Sequence, residues 1–159
     1  MIKPANPPDE AQRIATLQAL NILDTASEER FDLITRIALH TLDVPIAVVS
    51  LVDTNRQWFK SCQGLAATET PRDISFCGHA ILGNDVFVVP DALLDPRFAD
   101  NPLVTGAPHI RFYAGQPLKA SNGNNLGTLC IIDSKPRQLS QTDLNCLRDL
   151  ATLVENELN

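Results

Sequence analysis

The sequence lacks any long apolar run and has few basic residues. No stretch approaches the roughly 18–20 apolar residues of a membrane-spanning helix, and residues 1–8 have no apolar core like that of a signal peptide. Lysine and arginine total 13 against 19 aspartates and glutamates, so the formal net charge is −6. Nucleic-acid-binding domains are usually basic, and anionic membranes repel acidic surfaces. We therefore expect a cytoplasmic protein without membrane insertion or nucleic-acid binding.

Closely spaced cysteines are also missing. The four cysteines are Cys62, Cys77, Cys130 and Cys146, with no C-x-x-C pair among them. This spacing argues against a structural zinc site and against a secreted disulfide scaffold. Cys77 and His79 alone are too few ligands for a metal, and His40 and His109 show no metal-binding spacing, so we expect no metal site.

The apolar periodicity predicts three main helices. With 159 residues and 44% hydrophobic residues, the chain is expected to form one domain with a real core. Residues 1–8 read as an extended arm, and 9–159 as the domain. The predicted helices cover 9–23, 27–42 and 141–158. A capping box at Thr25–Glu28 is predicted to start the second helix, and Ser140 with Asp143 the last one.

Short runs rich in β-branched residues predict the strands. They cover 46–53, 57–62, 86–89, 110–118 and 126–133, with loops at 64–74 and 90–108 and a short helix at 75–82. Their hairpin-type connections favour an antiparallel sheet with the main helices on one face. The long irregular segments would then cover the other face.

The last helix carries apolar residues at alternating spacings of three and four. They are Leu144, Leu147, Ala151, Val154 and Leu158. We expect this face to pack on the sheet first, although the same spacing also permits pairing with a second copy of the chain.

Taken together, these segments resemble the GAF domains at the N-terminus of bacterial sensor histidine kinases and diguanylate cyclases. The matching segments include 20–25, 31–35, 44–53, 56–61, 75–81, 91–92, 95–98, 101–106, 110–115 and 126–133. The resemblance implies an α+β, GAF/PAS-like fold with an antiparallel sheet of about five or six strands. Terminal helices would pack together on one face, and a pocket closed by segments 64–80 and 91–108 would lie on the other.

The segment Thr70–Ile81 concentrates reactive side chains beside that implied pocket. Ser75, His79 and Asp91 lack the nucleophile elbow of a hydrolase triad, so we expect no catalytic residue there. We expect a ligand to contact ten residues: Trp58, Arg72, Phe76, Cys77, His79, Asp91, Phe98, Arg111, Tyr113 and Asp133. Their mixture of apolar walls and a few polar anchors is typical of small-molecule sites.

Other branches of the family suggest different chemistry. Phe76-Cys77-Gly78 resembles a cysteine segment of the free methionine-R-sulfoxide reductases, but segment 98–112 has no cysteine to act as their attacking thiol. Cys62 is the nearest cysteine in sequence that could resolve an oxidised Cys77. The bilin and cyclic-nucleotide signatures of other GAF domains are missing, so the cofactor is left unnamed.

We therefore expect a non-catalytic, small-molecule-sensing domain and not an enzyme. The last helix, 141–158, would continue to an output domain, a kinase or a cyclase, in a longer protein, and the terminal helices would form a homodimer. One alternative is a ligand-free module for dimerisation and signal relay. Another is a redox-active thiol domain or a methionine-R-sulfoxide reductase-like enzyme.

Overall fold

The computed structural model describes all of residues 1–159. Its helices are α1 (Glu10–Ala19), α2 (Glu29–Thr41), α3 (Phe76–Ala80), α4 (Pro102–Thr105) and α5 (Gln141–Leu158). Its strands are β1 (Ile46–Val52), β2 (Arg56–Gln63), β3 (Glu69–Pro71), β4 (Phe87–Val89), β5 (Phe112–Lys119) and β6 (Asn125–Asp133). None of the helices has the combination of length and apolar character that crossing a membrane requires.

The six strands form one antiparallel sheet in the order β3-β2-β1-β6-β5-β4. β1 and β6 lie at its centre, and nearly all of their residues are buried. This explains their almost continuous apolar sequences, since each face of a central strand packs against another layer. The predicted α+β class and antiparallel sheet are confirmed.

The helices α1, α2 and α5 cover one face of the sheet. Their core includes the fully buried Leu17, Phe31 and Leu147, one from each helix. Burying a side chain of this size contributes about 1.5–3 kcal/mol. α2 packs against α5 as well as against β1 and β2, so α2 and not α1 is the main partner of the last helix.

Helix α5 begins with the predicted capping box. Ser140 Oγ accepts from the Asp143 backbone N–H at 3.1 Å, and Asp143 Oδ2 accepts from the Ser140 N–H at 3.1 Å. Leu147, Ala151 and Val154 are buried in the helix-side core. These positions of the three–four spacing therefore pack on this chain's own sheet, as expected first.

The predicted cap of α2 is wrong. Glu28 is its N-cap residue and makes no side-chain capping bond. Thr25 Oγ1 instead donates to the Ile22 carbonyl at 2.6 Å and accepts from Lys60 Nζ at 2.8 Å. A tertiary contact with the buried lysine has replaced the local capping interaction.

Helix α1 ends earlier than predicted, and the loops contain more structure. Asn21 and Asp24 have φ values of 51° and 62°, a left-handed backbone that stops the helix. The predicted loop 64–74 contains β3 and a 3-10 turn at Arg72–Ile74. The predicted irregular stretch 90–108 contains a 3-10 turn at Ala92–Leu94 and helix α4.

Candidate functional site

The sheet face opposite α1, α2 and α5 carries a cavity of about 240 Å³. The floor is the central sheet and one wall is α3. The rim consists of the segment after β2 and the segment between α4 and β5. Twelve of the 16 lining residues are hydrophobic. Such a cavity suits a compact and mainly apolar molecule.

Alternation along β2 determines which of its side chains reach this cavity, and a bulge interrupts that alternation at Lys60. The pairing with β1 shifts between Val49 and Ser50, so that Lys60 is an extra, bulged residue. Gln57 and Phe59 line the cavity, whereas Trp58 packs into the helix-side core. Ordinary alternation also directs Lys60 toward the helix layer, where Nζ contacts Glu28 at 2.7 Å. The bulge changes the parity only after Lys60, so that Ser61 faces the same layer and contacts Thr35 of α2.

A directional chain of hydrogen bonds runs along one side of the cavity. Ser50 Oγ donates to Gln57 Oε1 at 3.2 Å, and Gln57 Nε2 donates to Thr70 Oγ1 at 2.5 Å. Thr70 is half-buried at the rim and accepts the last of these bonds. Its own hydroxyl proton has no acceptor in the chain and can therefore be donated to a ligand.

A second polar group lies where α3 meets the sheet. Tyr113 OH donates to Cys77 Sγ at 3.2 Å, and Cys77 Sγ lies 3.1 Å from Thr128 Oγ1. Burial opposes ionisation of the Cys77 thiol, but hydrogen bonds with Cys130 and Thr128 outweigh it and lower its pKa to about 7. The hydrogen bond with Cys77 and burial together raise the pKa of Cys130. The two thiols thus form one buried pair with Cys77 as its acidic member.

Cys62 has no part in that pair. Burial raises its pKa to about 11, although its thiol donates to the Leu65 carbonyl at 3.4 Å. Cys130, rather than Cys62, is therefore the neighbour of Cys77 in space. The sequence could not indicate this, since Cys77 and Cys130 lie on elements more than 50 positions apart.

An aromatic cluster supports the α3 wall from behind. The Phe76 ring stacks on the Phe98 ring with centroids 4.0 Å apart and an interplanar angle of 8°. His79 meets the edge of Phe98 at 5.0 Å, and the Arg97 guanidinium lies 4.9 Å from the Phe87 ring centroid. Phe76 therefore packs against the aromatic cluster and also lines the cavity.

Three of the ten predicted ligand contacts line the cavity, namely Phe76, Cys77 and Tyr113. Trp58 and Phe98 are buried in the helix-side core and in the aromatic cluster, respectively.

The five predicted polar anchors all have other partners. Arg72 binds Glu10 at 2.6 Å, and His79 Nε2 lies 3.0 Å from the Ile2 carbonyl oxygen. Asp91 Oδ1 accepts from the Leu93 N–H, and Arg111 donates to the Val104 carbonyl. Asp133 Oδ2 accepts from Arg137 at 3.2 Å. The expectation that these side chains meet at one pocket is corrected, because each holds a loop or a helix end in place.

Thirteen lining residues were missed by sequence reasoning. They are Val48, Ser50, Gln57, Phe59, Leu65, Ala67, Thr70, Leu103, Ala107, Pro108, Ile110, Cys130 and Ile132. Alternation along β6 places Thr128, Cys130 and Ile132 on one face, a signal that sequence could have supplied. The apolar residues between them hide that signal, because both faces of the strand are buried.

The fold and the cavity together define the class of protein. The chain has a single antiparallel sheet with helices on one face and a loop-closed cavity on the other. This is the architecture of GAF domains. The GAF domain family model matches residues 27–158. The chain belongs to the GAF domain family.

One curated relative and two solved structures show the range of proteins that contain such a domain. The cyclic di-GMP phosphodiesterase PA2567 of Pseudomonas aeruginosa is 48% identical over 155 residues, covering 97% of this chain but only 26% of that protein. The type II free methionine-R-sulfoxide reductase of Thermoplasma acidophilum has a TM-score of 0.68 at 14% identity, covering 90% of this chain and 94% of that one. The GAF domain of an Acinetobacter phosphoenolpyruvate-protein phosphotransferase has a TM-score of 0.64 at 15% identity, covering 92% of each chain.

These comparisons overturn the prediction that the chain is not an enzyme. The relative that matches almost the whole chain is named as a phosphodiesterase, and one structure with the same fold is a reductase. The chain spans about a quarter of the phosphodiesterase, and the structural likeness shows the fold alone.

Proposed function

We propose that this chain is the ligand-binding sensory domain of a longer signalling protein. The observation that carries the proposal is the apolar cavity on the sheet face opposite the main helices. Concave, mostly apolar sites with a few polar groups are the usual form of small-molecule sites. The signal would leave through the helix layer, because the cavity and α1 are joined by a buried ionic network.

That network begins two residues after the cavity-lining Thr70. Arg72 binds both carboxylate oxygens of Glu10 in α1, at 2.6 and 3.1 Å. Glu10 also accepts from Arg13 Nε at 2.8 Å, while Arg13 Nη1 donates to the Val52 carbonyl at 2.7 Å. Arg13 is completely buried and Arg72 nearly so. A ligand that displaces β3 would therefore displace α1 as well, because separating the buried Arg72–Glu10 ion pair costs several kcal/mol, roughly 3–5.

The output of the longer protein is proposed to be hydrolysis of cyclic di-GMP. This rests on the 48% identity to the Pseudomonas aeruginosa phosphodiesterase, of which the chain covers 26%. The kinase or cyclase output expected from the sequence has less support, because the curated relative carries a different activity in its name. Homodimerisation through the terminal helices stays a prediction, and the exposed Leu153 on α5 is an apolar position available for it.

A chimera tests this function. The matching segment of the phosphodiesterase is replaced by this chain, and hydrolysis of cyclic di-GMP is measured with and without an apolar cell extract. Ala67→Trp fills the rim of the cavity, and we expect it to abolish the response to the extract. Ala66→Trp, at an exposed neighbouring position that does not line the cavity, is the matched control. Equal responses from the two variants would contradict a sensory role for the cavity.

A second candidate function is thiol-based reduction, which the two buried cysteines that line the same cavity, Cys77 and Cys130, favour. Two thiols and one sulfoxide would give a disulfide, a thioether and water, so the atoms and electrons balance. Purified protein is incubated with free methionine-R-sulfoxide, and the methionine formed per protein molecule is counted. One equivalent, lost in Cys77→Ser but kept in Cys146→Ser, would support the reductase. No methionine would exclude it.

A further inference from the structure

We infer that the ligand of this cavity is a compact, uncharged molecule of about ten non-hydrogen atoms, with an apolar body and a hydrogen-bond acceptor that binds Thr70. The inference rests on the proposed function and adds the chemical class of the ligand. Three features of the cavity carry it: its volume, its lack of charged side chains and the hydroxyl donor of Thr70.

The volume of the cavity limits the size of the ligand. A dry apolar cavity of about 150 Å³ holds benzene, which has six non-hydrogen atoms. The cavity here measures about 240 Å³. By the same ratio it accommodates about ten non-hydrogen atoms. A nucleotide, cyclic or linear, has about twice that number and exceeds this space.

The absence of charge excludes ions. None of the 16 lining residues is Asp, Glu, Lys, Arg or His. The cations nearest in sequence are engaged elsewhere, since Arg72 binds Glu10 and Arg111 donates to the Val104 carbonyl. A carboxylate, phosphate or ammonium group would lose its hydration without gaining a counter-charge, and that cost disfavours binding.

The direction of the hydrogen-bond chain identifies the polar end of the ligand. The Gln57 carbonyl accepts from Ser50, so the Gln57 amide donates to Thr70. The Thr70 oxygen already accepts this hydrogen bond, so the Thr70 hydroxyl is available to a ligand mainly as a donor. At the other polar group, Tyr113 already donates to Cys77. A ligand carbonyl, ether or hydroxyl oxygen is therefore expected at Thr70.

Three probes of nearly equal length test the inference by titration calorimetry of the whole chain. They are 2-nonanone, nonanoate and nonylammonium at pH 7.5, each below its micelle concentration. We expect the ketone to bind more than roughly tenfold tighter than either ion, which corresponds to about 1.4 kcal/mol. Ions that bind as tightly as the ketone would overturn the inference and leave the proposed sensory function standing. No binding by any of the three probes would also overturn the inference, while the chimera tests the sensory function separately.

Variants at the rim test the role of Thr70. Thr70→Val removes the donor with little change in shape, and we expect about fivefold weaker binding of 2-nonanone. Thr70→Ser keeps the hydroxyl and should restore the affinity. Thr68→Val, at an exposed position that does not line the cavity, controls for general effects on the segment. Unchanged affinity in Thr70→Val would overturn the assignment of this residue.

Discussion

At the scale of single residues, Glu10 makes the connection between the cavity side and α1. Burial opposes its ionisation, but hydrogen bonds from Arg72 and Arg13 prevail and lower its pKa to about 2 from 4.5. Removing the carboxylate leaves two buried guanidinium groups without their counter-charge. The sequence did not indicate this buried ionic network, since Glu10 at the start of a helix predicts only a favourable interaction with the helix dipole.

Glu10→Gln is expected to destabilise the protein by about 3 kcal/mol, as measured by urea unfolding at pH 7. Glu69→Gln is the matched control, because Glu69 is half-exposed and pairs with Arg56 at 3.1 Å. We expect that change to cost less than about 1 kcal/mol. Equal losses of unfolding free energy in the two variants would show that the buried network stabilises the protein no more than an exposed ion pair does.

The same carboxylate predicts a pH dependence. A carboxyl whose pKa is lowered by folding stabilises the folded state above its unfolded pKa, and this contribution disappears as the pH falls through the folded pKa. For Glu10 the loss runs from about pH 4.5 down to about pH 2. Unfolding free energies measured across this range should therefore fall more steeply for the wild type than for Glu10→Gln. Parallel curves would contradict the lowered pKa.

Cys77 provides a probe of cavity occupancy. We expect 2-nonanone to slow modification of Cys77 by methyl methanethiosulfonate, a small uncharged reagent, because ligand and reagent compete for the same space. Cys146 lies on α5 outside the cavity and is the control within the same molecule. Peptide mass spectrometry after timed quenching measures both rates. Equal slowing at both cysteines would contradict binding at the cavity.

At the scale of elements, the arm 1–8 and α3 depend on a close approach at Gly78. A Cβ there would lie 2.6 Å from Ser75 Oγ and 2.7 Å from Pro4 Cγ. Ser75 Oγ also accepts from the Gly78 N–H at 3.0 Å and so caps α3. This cap is local in the sequence, whereas the contact with the arm had no signal in the sequence.

Gly78→Ala should displace the arm from α3 and cost about 1–3 kcal/mol, because the added methyl group overpacks a filled space. Hydrogen–deuterium exchange should rise in residues 2–6. Gly83→Ala is the matched control, since nothing lies within 4 Å of a Cβ at that position. Unchanged exchange in Gly78→Ala would mean that the arm is held by its other contacts.

The elements also show where sequence reasoning reached its limit. The α5 capping box and the strands β1 and β6 were predictable, since their patterns are local and strong. The bulge at Lys60 was not, because a buried lysine held by Thr25 and Glu28 is a tertiary interaction. That inserted residue reverses the alternation of the strand, so that Ser61 follows Lys60 onto the helix side and contacts Thr35.

At the scale of the whole molecule, ligand binding should raise the thermal stability of the domain. A ligand at 100 times its dissociation constant stabilises the folded state by about 2.7 kcal/mol. For a domain of this size the midpoint should rise by roughly 6–10 °C. Differential scanning calorimetry with 2-nonanone measures the shift, with Ala67→Trp as the variant expected to lose it. An equal rise in that variant would contradict binding in the cavity.

The architecture of the whole molecule followed from the sequence more completely than the site did. Antiparallel connectivity and the helix layer depend on alternation, caps and hairpin turns, which are local. The site depends on where polar side chains find partners. Arg72 and His79 were expected in the cavity because they are polar, yet each is held by a residue more than 60 positions away in the sequence.

The most direct test of the central claim is methyl NMR of the protein titrated with 2-nonanone. We predict chemical-shift changes at Val48, Ile110 and Ile132, which line the cavity, and little change at Leu147 and Val154 in the helix-side core. Changes centred on the exposed Leu33, Ile37 and Leu153 instead would show that the molecule binds an outer surface. That result would contradict the cavity as the ligand site.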